Sequence, residues 1–206
     1  MEAKGNATRM ELLKLKGRVK MAVRGHKLLK DKRDELVKEF MVLVRKNHEL
    51  RQEVEKKIQL AYQSFLSARA VMTPETMEEA FMGTNERVEV SASSRHIMNV
   101  VVPVFDLEKK GSGYAYGYAT TSGELDTALL NYAEVLPLMV KLAEVERAVE
   151  LLADEIEKTR RRVNALEYVL IPELTASVKM ISMKLAEMER SNASRLMKIK
   201  DIVRAH

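Results

Sequence analysis

From Leu12 to Val54 one stripe of residues recurs at alternating steps of three and four. With Leu12 as position a of a heptad, the a series is Leu12, Val19, His26, Arg33, Phe40, Asn47 and Val54. The d series is Leu15, Ala22, Leu29, Leu36, Leu43 and Leu50, apolar without a break. A helix carrying one narrow apolar stripe has to cover it with another helix, so this feature commits the chain to a coiled coil. The start is marked as well: Thr8 followed by Glu11 is a capping box, in which the threonine oxygen takes the third helical amide. No proline follows until Pro74, so the spacing predicts one helix over residues 8–71, ~90 Å long at ~1.5 Å per residue. Beyond Lys57 the apolar positions move to Ile58, Ala61, Phe65 and Ala68, which predicts a shift in the phase of the stripe. The polar a residues His26, Arg33 and Asn47 are read as setting register and partner choice at some cost in stability.

The far end repeats the pattern. Leu142, Val149, Ile156, Val163 and Leu170 are spaced by seven, with Val145, Leu152, Thr159 and Leu166 between them. Past "VLIPEL" the series becomes Leu174, Ile181, Met188 and Ile202, alternating with Val178, Leu185 and Ile199. The step from Leu170 to Leu174 reads as a four-residue stutter, which locally unwinds a left-handed supercoil. Pro172 falls inside it and favours a bend, and Pro137 marks either the start of the continuous helix or another kink.

Two helical runs of similar length, joined by a segment able to reverse the chain, predict a mainly α protein. Its expected architecture is a long antiparallel left-handed coiled coil of N- and C-terminal helices. The seam residues are Leu15, Leu29, Leu36, Leu43, Leu50, Val149, Leu152, Ile156, Val163 and Leu166. A parallel homodimer through either helix is the competing arrangement. The division expected is an N-terminal helix over 8–71, a middle segment over 72–125 and a C-terminal helix over 126–206. In the middle, Thr73-Pro74 before "ETMEEAFMG" reads as a short helix with proline in its first turn and Gly83 at its end. "ERVEVSAS" and "HIMNVVVPVF" read as two strands of a β-hairpin, and "KKGSGYAYGY" as a Gly/Tyr turn.

Composition supports helices over a thick core: 32% of residues are charged, 5% are aromatic and Trp is absent. There is no Cys, hence neither a disulfide nor a thiolate metal site. The histidines, His26, His48, His96 and His206, form no ligand spacing. No nucleophile elbow, His-Glu-x-x-His or phosphate loop occurs, so the chain reads as mechanical, with no cofactor and no catalytic residue of its own.

Charge is the other conspicuous feature. Lys and Arg number 35 against 30 Asp and Glu, and the excess gathers at Lys14, Lys16, Arg18, Lys20, Arg24, Lys27, Lys30 and Arg33. Arg160, Arg161 and Arg162 follow in the last helix. Neighbours on a helix point ~100° apart, so at least two of the three arginines face outward. Such a surface fits carboxylates on a protein partner, or else nucleic acid or an anionic membrane.

"TRMELLKLKGRVKMAVRGHKLLKDKRDEL" and "EKTRRRVNALEYVLIPEL" resemble the D subunit (central rotor stalk) of the prokaryotic V-type/A-type rotary ATPases and ATP synthases, and the resemblance runs over nearly the whole chain. It departs at "NATRM", where that family has Asn-Pro-Thr-Arg-Met. The resemblance implies a central rotor axle, with the coiled coil inside a hexamer of A and B subunits (A3B3) and the middle segment toward the membrane. It implies an F subunit on the axle's side, a funnel-shaped C (or d) subunit linking it to the membrane rotor ring, and a peripheral place on the cytoplasmic face of the membrane. On that reading the eleven basic residues named above meet carboxylates of the hexamer's bore. The rival reading is a basic coiled-coil scaffold binding nucleic acid or membrane, and a homodimeric tether is a third.

Overall fold

The computed structural model describes residues 8–83, 85–111, 115–117 and 119–204. Asn6, Ala7 and His206 lie outside the described residues, as do Ser112, Gly113, Tyr114 and Tyr118 of the Gly/Tyr turn. In chain order the elements are α1 (Arg9–Val71), α2 (Pro74–Met82), β1 (Arg87–Ile97), β2 (Val100–Lys110), α3 (Gly123–Ala165), a π turn (Leu166–Leu170) and α4 (Ile171–Arg204). Helix α1 is one run of 63 residues, and the Glu11 amide donates to Thr8 Oγ1 at 3.2 Å. Helix α2 opens on Pro74, where the missing amide costs nothing, and Thr73 accepts from the Thr76 amide.

The chain divides into two compact units. In the first, Met1–Glu35 with Ile156–His206, the start of α1 lies beside the end of the helical run. Arg9 Nη2 is 2.6 Å from Glu189 Oε1, and His26 Nε2 is 3.3 Å from Glu167 Oε2. Partner numbers fall as α1 numbers rise, so the pairing is antiparallel. Leu15, Ala22, Thr159, Val163 and Ile181 are buried there, while Leu29, Ile156 and Leu166 are half-buried.

The second unit, Leu36–Glu155, holds the rest of α1, α2, the hairpin and the start of α3. Lys57 Nζ lies 3.4 Å from Glu134 Oε2, and Asn131 Nδ2 donates to Ser64 Oγ at 2.8 Å, again antiparallel. Leu36, Val54, Ala61 and Ala68 of α1 and Leu125, Val135, Val145 and Leu152 of α3 are buried; Leu43, Leu50 and Val149 are half-buried. A small core of Ala68, Met72, Met77, Ala80 and Leu125 holds α2 in place.

Strands β1 and β2 pair antiparallel, Arg87 opposite Lys110 and Ile97 opposite Val100, so the turn is Met98-Asn99. The hairpin is the only sheet among the described residues. It lies along α3: the Phe105 amide donates to Glu144 Oε2 at 3.5 Å and Lys109 Nζ to the Ala133 carbonyl at 3.0 Å. Gly111 closes its base at φ 101, and a Cβ there would stand 2.0 Å from the Asn85 carbonyl oxygen. Glycine is required on both counts.

Two local expectations are corrected, and one left open is narrowed. The phase of the α1 stripe does not shift after Lys57. Val54, Ala61 and Ala68 continue the a series into the buried face, and Ile58 is 37% exposed. What changes is the d position, now the half-buried Lys57 and Ser64, which find polar partners on α3. Nor is the late irregularity a four-residue stutter. Leu170 is 42% exposed and Ile171 takes the inner place, so one residue has been inserted and the π turn absorbs it. The Ile171 amide reaches back to the Leu166 carbonyl, a five-residue step. With that insertion removed, Ile171, Leu174, Val178, Ile181 and Leu185 continue the heptad of Ile156 and Val163. Of the two readings of Pro137, a helix start or a kink, the first falls away, because Pro137 lies inside α3.

Candidate functional site

Every basic residue singled out in the sequence falls in the first unit, because Lys14 to Arg33 precede Glu35 and Arg160 to Arg162 follow Ile156. The antiparallel pairing brings residues about 130 positions apart into one compact body, and the heptad explains how they lie. The a and d positions go inward, so the lysines and arginines between them stay out. Lys14, Lys16, Arg18, Lys20, Arg24, Lys27 and Lys30 are all exposed and make no ion pair among the described residues. Lys16, Lys20, Arg24 and Lys27 step by four, four and three, which sets them in a row along one flank of α1.

Two residues stand apart from that set. Arg33 is half-buried at an a position and spends its guanidinium on Asp34, Nη2 to Oδ1 at 2.7 Å. Arg161 pairs with Glu157 one turn back, whereas Arg160 and Arg162 are exposed without an ion pair among the described residues. Seven exposed cations without an ion pair among the described residues, four of them in one row, leave an electrostatic demand for something outside the chain.

Apolar ground accompanies the charges. Lys16 and Lys20 flank a groove of about 240 Å³ floored by Val19, Thr175 and Val178. The inserted residue of the π turn puts Tyr168, Val169 and Leu170 on the outside in succession. Among the described residues no group of three His, Cys, Asp or Glu could hold a metal ion, and no helix is long and apolar enough to cross a membrane.

Sequence reasoning missed one concavity. A pocket of about 700 Å³ opens in the second unit between α2, the base of the hairpin and α3, lined among others by Phe81, Val88, Tyr116, Leu129, Leu136 and Met139. Two of its polar groups are engaged, Lys109 with the Ala133 carbonyl and the Tyr116 hydroxyl with Asp126, while Glu86 and Tyr132 also line it. The lining comes from elements some 50 positions apart, so no local signal announces it.

The model of the family described as the D subunit of ATP synthase matches residues 11–201. The chain belongs to the ATP synthase D-subunit family. Relatives agree over almost their whole length. The chain is 55% identical over 202 residues to the V-type ATP synthase D subunit of Acetivibrio thermocellus, covering 96% of this chain and 91% of that one. It is 52% identical over 208 residues to the V-type ATP synthase D subunit of Clostridium botulinum (strain ATCC 19397 / Type A), covering 98% and 96%. A third, the V-type ATP synthase D subunit of Thermoanaerobacter sp. (strain X514), is 52% identical over 200 residues, with 96% of each chain covered. Within the family match fall both the heptad seams and the basic row.

Proposed function

We propose that this chain is the central axle of a rotary V-type/A-type ATP synthase, a component that carries torque and performs no chemistry itself. Membership of the D-subunit family along residues 11–201 carries the reading. On it, ATP is made or hydrolysed at the interfaces of the A and B subunits, and ion flow, of protons or sodium ions, turns the membrane ring. The axle rotates with the ring, and its changing face opens and closes each A/B site in turn. The F subunit binds the axle's side and the C/d funnel ties it to the ring, which places the complex at the cytoplasmic face of the membrane.

The architecture suits that work. Torque demands stiffness, and paired helices with a buried a/d seam supply it without a thick core. A bearing demands contacts that release. Exposed ion pairs contribute on the order of 0–1 kcal/mol each, so a row of lysines and arginines can hold an angular preference without trapping the rotor. In this reading the unpaired row from Lys14 to Lys30, with Arg33 and Arg160 to Arg162, faces carboxylates of the A3B3 bore.

The test is reconstitution with purified A, B and F subunits. One copy of this chain per three A and three B, with ATP turnover altered by its presence, is the expected outcome. Exchanging Lys16, Lys20, Arg24 and Lys27 for Gln should leave the chain folded and weaken its hold on the hexamer, most visibly at low salt. A chain that stays apart from A3B3 yet binds DNA or anionic vesicles would overturn the axle reading in favour of a basic scaffold.

A further inference from the structure

The outer edge of β1 is an unused strand edge. Strand β1 has one neighbour, β2, and it is exposed at nine of its eleven positions. The side that β2 leaves open can be read from Phe105, whose amide turns away from β1 to Glu144. Ala92, directly opposite Phe105, is therefore in a non-hydrogen-bonded pair, and its own N–H and C=O point outward. The same phase holds for every second residue, so Val88, Val90, Ala92, Ser94 and His96 present a row of backbone donors and acceptors with no partner strand among the described residues. Ser91 Oγ and Ser93 Oγ, at the alternate positions, bond to the Asp106 and Val104 carbonyls of β2, which agrees with those carbonyls pointing toward β1.

A row of that kind accepts another strand, and the sequence of β1 says which. Laid antiparallel on a second copy of itself, β1 overlaps fully in one register, the one centred on Ala92. That register sets the outward-facing residues against one another, Ala92 on Ala92, Val90 on Ser94 and Val88 on His96, in hydrogen-bonded pairs, about ten bonds in all. It also sets Glu89 opposite Arg95, twice over by symmetry, on one face of the sheet. Arg95 makes no ion pair among the described residues, while Glu89 already lies near Arg87 and Lys110. Small residues, Ser91, Ala92 and Ser93, occupy the centre where two strands meet most closely. Slipping by two residues shortens the ladder and puts Arg87 against Arg95, or Glu89 against Ile97.

We infer that the free chain dimerises through β1, forming a four-stranded sheet about a two-fold axis at Ala92. This goes beyond the axle reading and stands without it: one copy enters each rotor, and the paired form belongs to the chain outside the complex. Pairing hides an edge that would otherwise pair without discrimination.

The chain has no cysteine, which makes the decisive experiment simple. In Ala92→Cys the two thiols meet across the axis at a backbone spacing a disulfide can span, ~5.5 Å between Cα atoms. Mild oxidation of the full-length protein should give a cross-linked dimer with Ala92→Cys and none with Val88→Cys, whose copies stand at opposite ends of the ladder. Sedimentation should show Ala92→Pro weakening the dimer at least ~10-fold, because that amide serves only the outer edge. Glu89→Arg and Arg95→Glu should each weaken it, and the double exchange should restore it. A monomer throughout the micromolar range, cross-linking by both cysteines alike, or a double exchange no better than the singles would overturn the inference. Helix content by circular dichroism identifies any variant that fails to fold.

Discussion

Lys109 Nζ donates to the carbonyl of Ala133 at 3.0 Å, and Ala133 stands four residues before Pro137. In an α-helix that carbonyl takes the amide of residue 137, which proline lacks. A lysine from the hairpin therefore completes the hydrogen bonding of α3, and the helix passes through Pro137 without ending. Lys109→Met should loosen the hairpin from α3, at about 1–2 kcal/mol for an exposed charge-assisted bond. Pro137→Ala should stabilise the helix by about 1–3 kcal/mol and set the restored amide in competition with Lys109 for that carbonyl. Amide exchange along β2 measures both: protection should fall in either variant, while thermal stability should rise only in Pro137→Ala.

Deleting Val169 removes the inserted residue and returns residues 156–184 to an unbroken heptad. Since a π turn has no bonding advantage over α-helix, the deletion variant should keep its helix content and melt at or above the parent's temperature. A melting point lower by several degrees would mean that the outward Tyr168-Val169-Leu170 stretch is packed.

The hairpin turn carries strain. Met98 adopts φ 53, a left-handed conformation that costs a non-glycine residue roughly 1–2 kcal/mol, and its side chain is exposed. Met98→Gly should slow amide exchange in β1 and β2, by up to about 1 kcal/mol in opening free energy.

Burial separates two leucines eight residues apart on α1. Leu36 is 0% exposed and Leu28 is 69% exposed. Leu36→Ala should cost about 2–5 kcal/mol by chemical denaturation, whereas Leu28→Ala should stay within about 0.5 kcal/mol.

Helix caps, the proline-led α2 and the alternation that pairs β1 with β2 were legible because each is a local preference repeated along the chain. The a and d residues from Leu12 to Val54 are all buried or half-buried, as their spacing predicts. Irregular places were less legible. Ile58 looks like part of the stripe by hydrophobicity alone, yet Lys57 and Ser64 hold the inner positions, since Glu134 and Asn131 are there to satisfy them. Leu170 fits a heptad as well as Ile171 does in the sequence. Only the geometry of a turn wound one residue too wide chooses between them.

The sequence by itself therefore determined the helices, their amphipathic faces, the hairpin and the family, all consequences of periodicity and short-range chemistry. Tertiary structure decided what meets across long separations: which carbonyl Lys109 completes, and that the row from Lys14 to Lys30 shares one unit with Arg160 to Arg162. The physical reason is that heptad spacing specifies a direction for each side chain but not its partner. Partners are chosen when two helices and a hairpin settle into one packing, where buried polar groups must be matched and a single inserted residue must be absorbed.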